Sequence, residues 1–102
     1  MARVGELERK TGETFVRVRL EVDGEGRADV STGVGFLDHL LHLLAHHSGM
    51  DLEVRAEGDT WVDDHHTVED TGLVLGRALD QALGDRSDLL RFADASIPLI
   101  EA

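Results

Sequence analysis

Cysteine is absent from the 102 residues of this chain. The absence excludes disulfide bonds, thiolate metal ligands and cysteine nucleophiles, so any metal ion must be bound by nitrogen and oxygen ligands. A cysteine-free composition also suits a reducing cytosol, and we expect a cytoplasmic protein. The chain lacks an apolar run near the roughly 18 residues that span a bilayer, and its start, "MARVGELERK", lacks the apolar core of a signal peptide.

Positive charge is scarce. The chain has 10 lysine and arginine residues against 21 aspartate and glutamate residues, for a formal net charge of −11. This charge repels nucleic-acid phosphates and anionic lipids, so we expect neither nucleic acid nor a membrane as a partner. An acidic surface attracts cations instead.

The length and balance of the composition predict one folded domain, residues 1–102. Hydrophobic residues make up 41% of the chain and charged residues 30%, as in ordinary globular proteins. A chain of this size buries roughly 65% of its unfolded surface, which is enough for one core. No internal repeat, low-complexity tract or linker interrupts it.

Alternating hydrophobicity predicts the strands. Residues 15–22, "FVRVRLEV", and 51–58, "DLEVRAEG", each place every second apolar side chain on one face. The turn-forming "DGEG" at 23–26 predicts a hairpin, with 27–32 as its second arm. A weaker strand is expected around residues 3–9.

Helical spacing predicts two helices. The first runs from after Gly35 to about His47, and its predicted apolar stripe is Phe36, Leu37, Leu40, Leu41 and Leu44. The second runs from about His65 to Leu83, ends at a C-cap Gly84, and has a predicted stripe of Val68, Leu73, Leu75, Leu79 and Ala82. The order β-β-β-α-β-α predicts an α+β fold in which two helices pack on one face of a four-stranded sheet.

The second helix begins within "DDHHTVED", residues 63–70. Side chains at i and i+4 lie one above the other on a helix, so His65 and Glu69 can bind the same ion. His66 points about 100° away from His65 around the helix axis. The adjacent histidines therefore indicate two ions or two tasks. These ligands suit Mn²⁺, Fe²⁺ or Zn²⁺ equally. The carboxylates of Asp63, Asp64 and Asp70 can accept hydrogen bonds from the imidazole N–H groups and so orient the rings.

The same histidines and carboxylates also have explanations that involve no metal ion. Acidic residues at a helix start compensate the helix dipole, and exposed histidines are common, so "DDHHTVED" alone fits a solvated face equally well. His39, within the apolar "FLDHLL", fits a buried core histidine as well as a ligand. We assign His42 and His46 to the surface and expect a functional role for His47.

Five segments in this order closely resemble the imidazoleglycerol-phosphate dehydratase family, the manganese enzymes of histidine biosynthesis. They are "TGETFVRV", "STGVGFLDHLLHLLAHH", "DLEVRAEGD", "DDHHTVEDTGLVLGRAL" and "LLRFADASIPL". "FLDH" followed by "DDHHTVED" is the specific part of the signature. The resemblance implies one half of a fold that duplicates a single α+β unit, within a symmetric assembly of subunits.

The resemblance also implies a role for each matching residue. His39 and His66 match ligands of one Mn²⁺, and His65 and Glu69 match ligands of the other. Glu13 of "TGET" matches the acid/base glutamate, and His47 and Arg91 match residues that bind the substrate. The implied substrate is an imidazole-containing diol phosphate, which loses water while its imidazole is bound to the metal.

The chain ends where the family's second unit is expected to begin, which suits an engineered or truncated single unit. One copy then offers two protein ligands per ion, whereas stable sites have three or four. We expect a homodimer or larger symmetric assembly in which His65 and Glu69 of one chain share an ion with His39 and His66 of another.

Three functions remain open from the sequence. The first is a dehydratase built from identical half-units. The second is a metal-binding symmetric assembly unit with little or no catalysis. The third is an unrelated hydrolase that uses a metal-bound water.

Overall fold

A computed structural model describes residues 3–58 and 64–86 of the chain. These residues form six elements in the predicted order: β1 (Val4–Lys10), β2 (Thr14–Glu21), β3 (Ala28–Ser31), α1 (Gly35–Ser48), β4 (Asp51–Gly58) and α2 (His65–Leu83). The predicted α+β class and element order are confirmed. The bounds of β4 and α2 match the prediction, and the weak first strand exists as β1.

The four strands form one mixed sheet in the order β1-β2-β4-β3. β2 lies antiparallel to both β1 and β4, whereas β3 lies parallel to β4. Val16 is paired with Ala56 and Val18 with Val54, so the alternating apolar residues of the two central strands share one face. That face is the inner side of the sheet.

The predicted hairpin between the second and third strands is wrong, because β4 lies between them in the sheet. The Asp51 carboxylate at the start of β4 explains the crossing. Its Oδ1 accepts hydrogen bonds from the backbone N–H groups of Glu25 at 2.9 Å and Arg27 at 3.0 Å. The loop after β2 is therefore bound across the end of β4, and β3 starts on the far side.

Both helices pack on the inner face of the sheet. α2 covers β1, β2 and β4, and α1 covers β3 and β4. One core joins all these elements: Val16, Val18, Leu20, Leu41, Ala45, Leu52, Val54, Ala56, Val74, Ala78 and Ala82. The outer face is charged and crossed by ion pairs, among them Arg17 with Glu6 and Arg55 with Asp29.

The predicted helix stripes are partly wrong. In α1 the buried residues are Leu41 and Ala45, whereas Phe36, Leu40 and Leu44 are exposed. In α2 the buried residues are Thr67, Thr71, Val74, Ala78 and Ala82, whereas Val68 and Leu73 are exposed. The strands already fill the space above the sheet with valine and leucine, so the helices approach through their smaller side chains. Larger apolar side chains of the helices therefore face away from the sheet.

Glycines at two positions permit this close approach. A Cβ atom on Gly5 of β1 would lie 1.8 Å from the carbonyl oxygen of Ala78, and one on Gly58 of β4 would lie 2.0 Å from Oγ1 of Thr67. α2 therefore lies against the sheet backbone through the main chain of Ala78 and the side chain of Thr67. No helix in the described part of the chain is both long and apolar enough to cross a membrane.

Candidate metal site

The first turns of α2 bring His65 and Glu69 together as predicted. Nε2 of His65 lies 3.0 Å from Oε2 of Glu69, and both side chains are exposed. Two ligand atoms that each lie about 2.1 Å from one ion, at right angles, are about 3.0 Å apart. The separation is that of a direct i, i+4 contact between the two side chains, and adjacent ligands of one metal ion have the same separation.

His66 stands beside His65 but in another orientation. The two ring centroids are 5.7 Å apart, and the ring planes are inclined at 63°. Both histidines are exposed. The inclination agrees with the helical argument that the adjacent imidazoles face different directions.

The two functional candidates on α1 also lie on the surface. His39 is exposed, which excludes the alternative that it is a buried core histidine. His47, in the last turn, is exposed and packs edge-on against His46, with the ring centroids 5.0 Å apart. Both side chains are accessible to a ligand or to a second chain.

Glu13 lies in the loop between β1 and β2. Its Oε2 is 3.4 Å from the hydroxyl of Thr11, and that hydroxyl also accepts hydrogen bonds from the backbone N–H groups of Glu13 and Thr14. The buried Thr14 hydroxyl in turn donates to the Asp70 carboxylate of α2. Glu13 is thereby held near the helix turn that carries Glu69.

Asp70 makes a contact that the sequence did not predict. Its carboxylate accepts a hydrogen bond from the Thr14 hydroxyl, which ties α2 to β2. Asp64 is the exposed residue immediately before α2, and its side chain makes no capping hydrogen bond. Asp63 and the predicted substrate residue Arg91 lie outside the described residues.

A single copy brings together few ligands. Among residues 3–58 and 64–86, no three histidine, aspartate or glutamate side chains form a group that could hold one metal ion. Within this part of the chain, His65 and Glu69 are in contact without a third such side chain beside them.

Sequence reasoning missed the threonines behind the site. Thr14, Thr67 and Thr71 are all buried, and among the described residues Oγ1 of Thr67 and of Thr71 has no hydrogen-bond partner. The alternation of β2 signals the inward position of Thr14, since Thr14 precedes Val16 and Val18 by even steps. No comparable signal marks the two helical threonines, because their burial depends on how α2 rests on the sheet.

The chain is similar in sequence to proteins of one known family. The family model described as imidazoleglycerol-phosphate dehydratase matches residues 32–102. The chain is 98% identical over 102 residues to the imidazoleglycerol-phosphate dehydratase of Rubrobacter xylanophilus, covering all of this chain and 53% of that protein. It is 59% identical to the Thermobifida fusca protein of the same name, covering all of this chain and 52% of that protein.

A solved structure has the same fold. The crystal structure of imidazoleglycerol-phosphate dehydratase from Staphylococcus aureus superposes with a TM-score of 0.75 at 32% sequence identity. The match covers 95% of this chain and 52% of that one. The chain therefore spans about half the length of the relatives it matches.

Proposed function

The chain belongs to the imidazoleglycerol-phosphate dehydratase family, and from this we propose that it is a metal-dependent lyase unit of histidine biosynthesis, acting in the cytoplasm. Its reaction would remove water from an imidazole-containing diol phosphate. The observation that carries the proposal is the 3.0 Å pair of His65 and Glu69 on the family's "DDHHTVED" segment. The pair has the donor chemistry and spacing that a divalent ion needs.

Mn²⁺ is the proposed ion, and Zn²⁺ and Fe²⁺ fit the same donors. His65 and Glu69 would hold one ion, and His39 and His66 the other. When bound, the metal supplies Lewis acidity at the substrate imidazole. The exposure of all four side chains supports this assignment, because each can reach a ligand outside its own chain.

Glu13 is the proposed acid/base residue. A carboxylate at this position can accept the proton from the carbon beside the imidazole ring and return a proton to the departing hydroxyl. The contacts from Thr11, and from Thr14 to Asp70, support the role because they hold the Glu13 loop against α2. We further propose that His47 and Arg91 contact the substrate.

A second copy of the chain would complete each metal site. His65 and Glu69 of one protomer would share an ion with His39 and His66 of its partner, and two-fold symmetry gives two equivalent sites. Supporting this, the described residues assemble no three-ligand group within one copy. The sharing requires a homodimer or a larger symmetric assembly.

A second candidate is a metal-binding assembly unit with little or no catalysis. The observation that favours it is the exposure of His39, His65, His66 and Glu69, which is enough for a metal ion shared between copies and requires no substrate pocket. The two candidates share the metal site and differ only in turnover.

One experiment separates the candidates. The diol phosphate is incubated with the manganese-loaded chain, with the chelated chain and with the manganese-loaded Glu13→Gln variant, and loss of water is followed. The lyase proposal expects turnover only in the first sample, with manganese binding retained by the variant. Full manganese occupancy without turnover favours the assembly unit.

Two further measurements test the shared site. Light scattering before and after chelation reports the assembly, and a monomer with full metal occupancy contradicts the sharing. Imidazole or triazole should raise the melting temperature of the manganese-loaded chain, because the proposed site binds an azole. The absence of any such rise would favour a hydrolase that activates water.

A further inference from the structure

The hydroxyl group of Thr11 is the centre of a hydrogen-bond cluster behind Glu13. Its oxygen accepts hydrogen bonds from the backbone N–H groups of Glu13 at 3.2 Å and of Thr14 at 3.0 Å. A hydroxyl oxygen has two lone pairs and one hydrogen. Both lone pairs of the Thr11 oxygen are therefore occupied, and Thr11 can make any further hydrogen bond only as a donor.

The hydroxyl hydrogen of Thr14 is also assigned. Thr14 is buried, and its hydroxyl donates to the carboxylate of Asp70. An ionised carboxylate only accepts hydrogen bonds, so the direction of this bond is fixed. Because its hydrogen is bound to Asp70, the Thr14 hydroxyl can only accept from Thr11, whose oxygen lies 3.1 Å away. The hydroxyl hydrogens of both threonines therefore point along the cluster towards Asp70.

The hydrogen of Thr11 has two acceptors within reach. Oγ1 of Thr14 lies at 3.1 Å, and Oε2 of Glu13 lies at 3.4 Å. Hydrogen bonds between two oxygen atoms are normally roughly 2.5–3.0 Å long, so the contact with Thr14 is the stronger of the two. The backbone of Glu13 is thus anchored to Thr11, while its exposed carboxylate receives only the weaker share of the hydrogen.

The carboxylate of Asp70 determines this distribution. Without it, the hydrogen of Thr14 turns towards Thr11, the oxygen that lies 3.1 Å away, and two hydrogens cannot occupy the same contact. The hydrogen of Thr11 then moves to the carboxylate of Glu13. A carboxylate that already accepts a full hydrogen bond is less available to take up a proton from a substrate.

We propose that Asp70 is a positioning residue for Glu13. By accepting the hydrogen of Thr14, Asp70 turns the Thr11 hydroxyl away from the Glu13 carboxylate and keeps that carboxylate available as a base. The acid/base task of Glu13 comes from the proposed function, so this role of Asp70 rests on it, whereas the direction of the hydrogen bonds follows from the contacts alone. Asp70 acts through two hydroxyl groups and does not itself need to touch a substrate.

Carbon-13 NMR of the Glu13 carboxyl group tests the positioning role without turnover. The Cδ signal is recorded for the full chain in saturating Zn²⁺, which is diamagnetic, at one pH near neutrality. Asp70→Ala removes the acceptor and Thr14→Val removes the hydroxyl, so both should shift the signal in the same direction. Thr14→Ser keeps the hydroxyl and should leave the signal in place. So should the matched control, Asp80→Ala, which removes a carboxylate of α2 that contacts Arg86 instead.

Steady-state kinetics with the diol phosphate and Mn²⁺ measures the catalytic consequence. Asp70→Ala and Thr14→Val should each lower kcat by about tenfold or more with KM little changed, because they alter the base and leave the substrate contacts in place. Thr14→Ser should retain most of kcat, because it keeps the hydroxyl. An equal fall of kcat in Thr14→Ser, or a rise in KM with kcat unchanged, would overturn the positioning role.

The outcomes separate the positioning role from the proposed function. A Glu13 signal that stays in place in both Asp70→Ala and Thr14→Val overturns the positioning role, even where the unaltered chain is active. A shifted signal in a chain that never removes water supports the effect of Asp70 on the Glu13 carboxylate and contradicts the lyase proposal instead. Urea unfolding measures the folded fraction of each variant, and either variant alone decides where the other is unfolded.

Discussion

The hydroxyl of Thr14 donates a hydrogen bond to the carboxylate of Asp70 across 56 residues of sequence. Thr14 is buried at the start of β2, next to Glu13, and Asp70 is in α2, next to Glu69. One contact therefore links the proposed acid/base residue with a proposed metal ligand. Hydrogen bonds to charged groups are stronger than neutral ones, which suits this contact to holding two elements in register.

Removing the hydrogen bond between Thr14 and Asp70 should lower the stability of the chain, and the effects of substituting the two residues should not be additive. Thr14→Val should lower the free energy of unfolding by about 1.5–3 kcal/mol, because the Asp70 carboxylate loses a partly buried donor. Thr14→Val and Asp70→Asn together should cost less than the sum of the single changes. Urea unfolding of the two single variants and the double variant measures the coupling. Strictly additive losses would show that the hydrogen bond contributes nothing.

The close approach of α2 to β1 predicts a severe effect of a small substitution. Gly5→Ala should destabilise the chain by about 1–3 kcal/mol or more, because its Cβ meets the backbone of Ala78, which is unable to rotate away. Gly35→Ala is the matched control, since a Cβ there meets nothing within 4 Å. Its free energy of unfolding should stay equal or rise by up to about 1 kcal/mol. Thermal unfolding of both variants checks the contrast, and equal effects would contradict the packing.

Asp51 makes stability dependent on pH in the acid range. Backbone hydrogen bonds from Glu25 and Arg27 lower the pKa of Asp51 below its ordinary value of 3.8. A lowered pKa means that the folded state binds the proton less readily than the unfolded state. The stabilisation is therefore complete above about pH 4 and is lost as the pH falls through the lowered pKa.

The measurement is urea unfolding at a series of pH values, with Asp51→Asn as the comparison. The variant should be less stable than the unaltered chain at pH 6, and the two should converge towards pH 2. Asp23 contributes a decline of the same sign in both proteins, because the hydrogen bond from the Arg3 side chain lowers its pKa. A constant difference over the whole range would contradict the assignment to Asp51.

The helical threonines predict a substitution that stabilises. Oγ1 of Thr71 is buried, and the described residues offer it no hydrogen-bond partner. Valine has nearly the same shape without the hydroxyl, so Thr71→Val should raise the free energy of unfolding by about 1 kcal/mol. Differential scanning calorimetry of the variant measures the change. A loss of stability would show that the hydroxyl is satisfied.

If the proposed metal site is shared between two copies, removing one ligand should weaken metal binding at all sites together. His65→Ala removes one ligand from every site of a symmetric dimer, so affinity for manganese should fall at least about tenfold at both sites together. His42→Ala is the control, because His42 is an exposed histidine of α1 that the sequence assigns to the surface. Calorimetric titration with Mn²⁺ gives affinity and stoichiometry. Loss at one site with the other intact would exclude the symmetric arrangement.

Local patterns in the sequence were enough to predict the elements. Alternation determined the inward residues of β2 and β4, and helical spacing predicted both helices, with Gly84 at the end of the second. The i, i+4 spacing also determined that His65 and Glu69 meet, because this contact lies within one helix. The remaining site residues were predicted only from the resemblance to the family.

Only the tertiary structure decided the rest. The turn residues at 23–26 signalled a hairpin, yet the hydrogen bonds to Asp51 lead the chain across β4, and no local pattern encodes that contact. The same holds for α1, where five apolar positions qualified for the core and packing against a sheet already filled by valine and leucine buried only Leu41 completely. Periodicity determines which side chains share a stripe, whereas the volume left above the sheet decides which stripe is buried. That choice left Phe36, Leu40 and Leu44 facing outward.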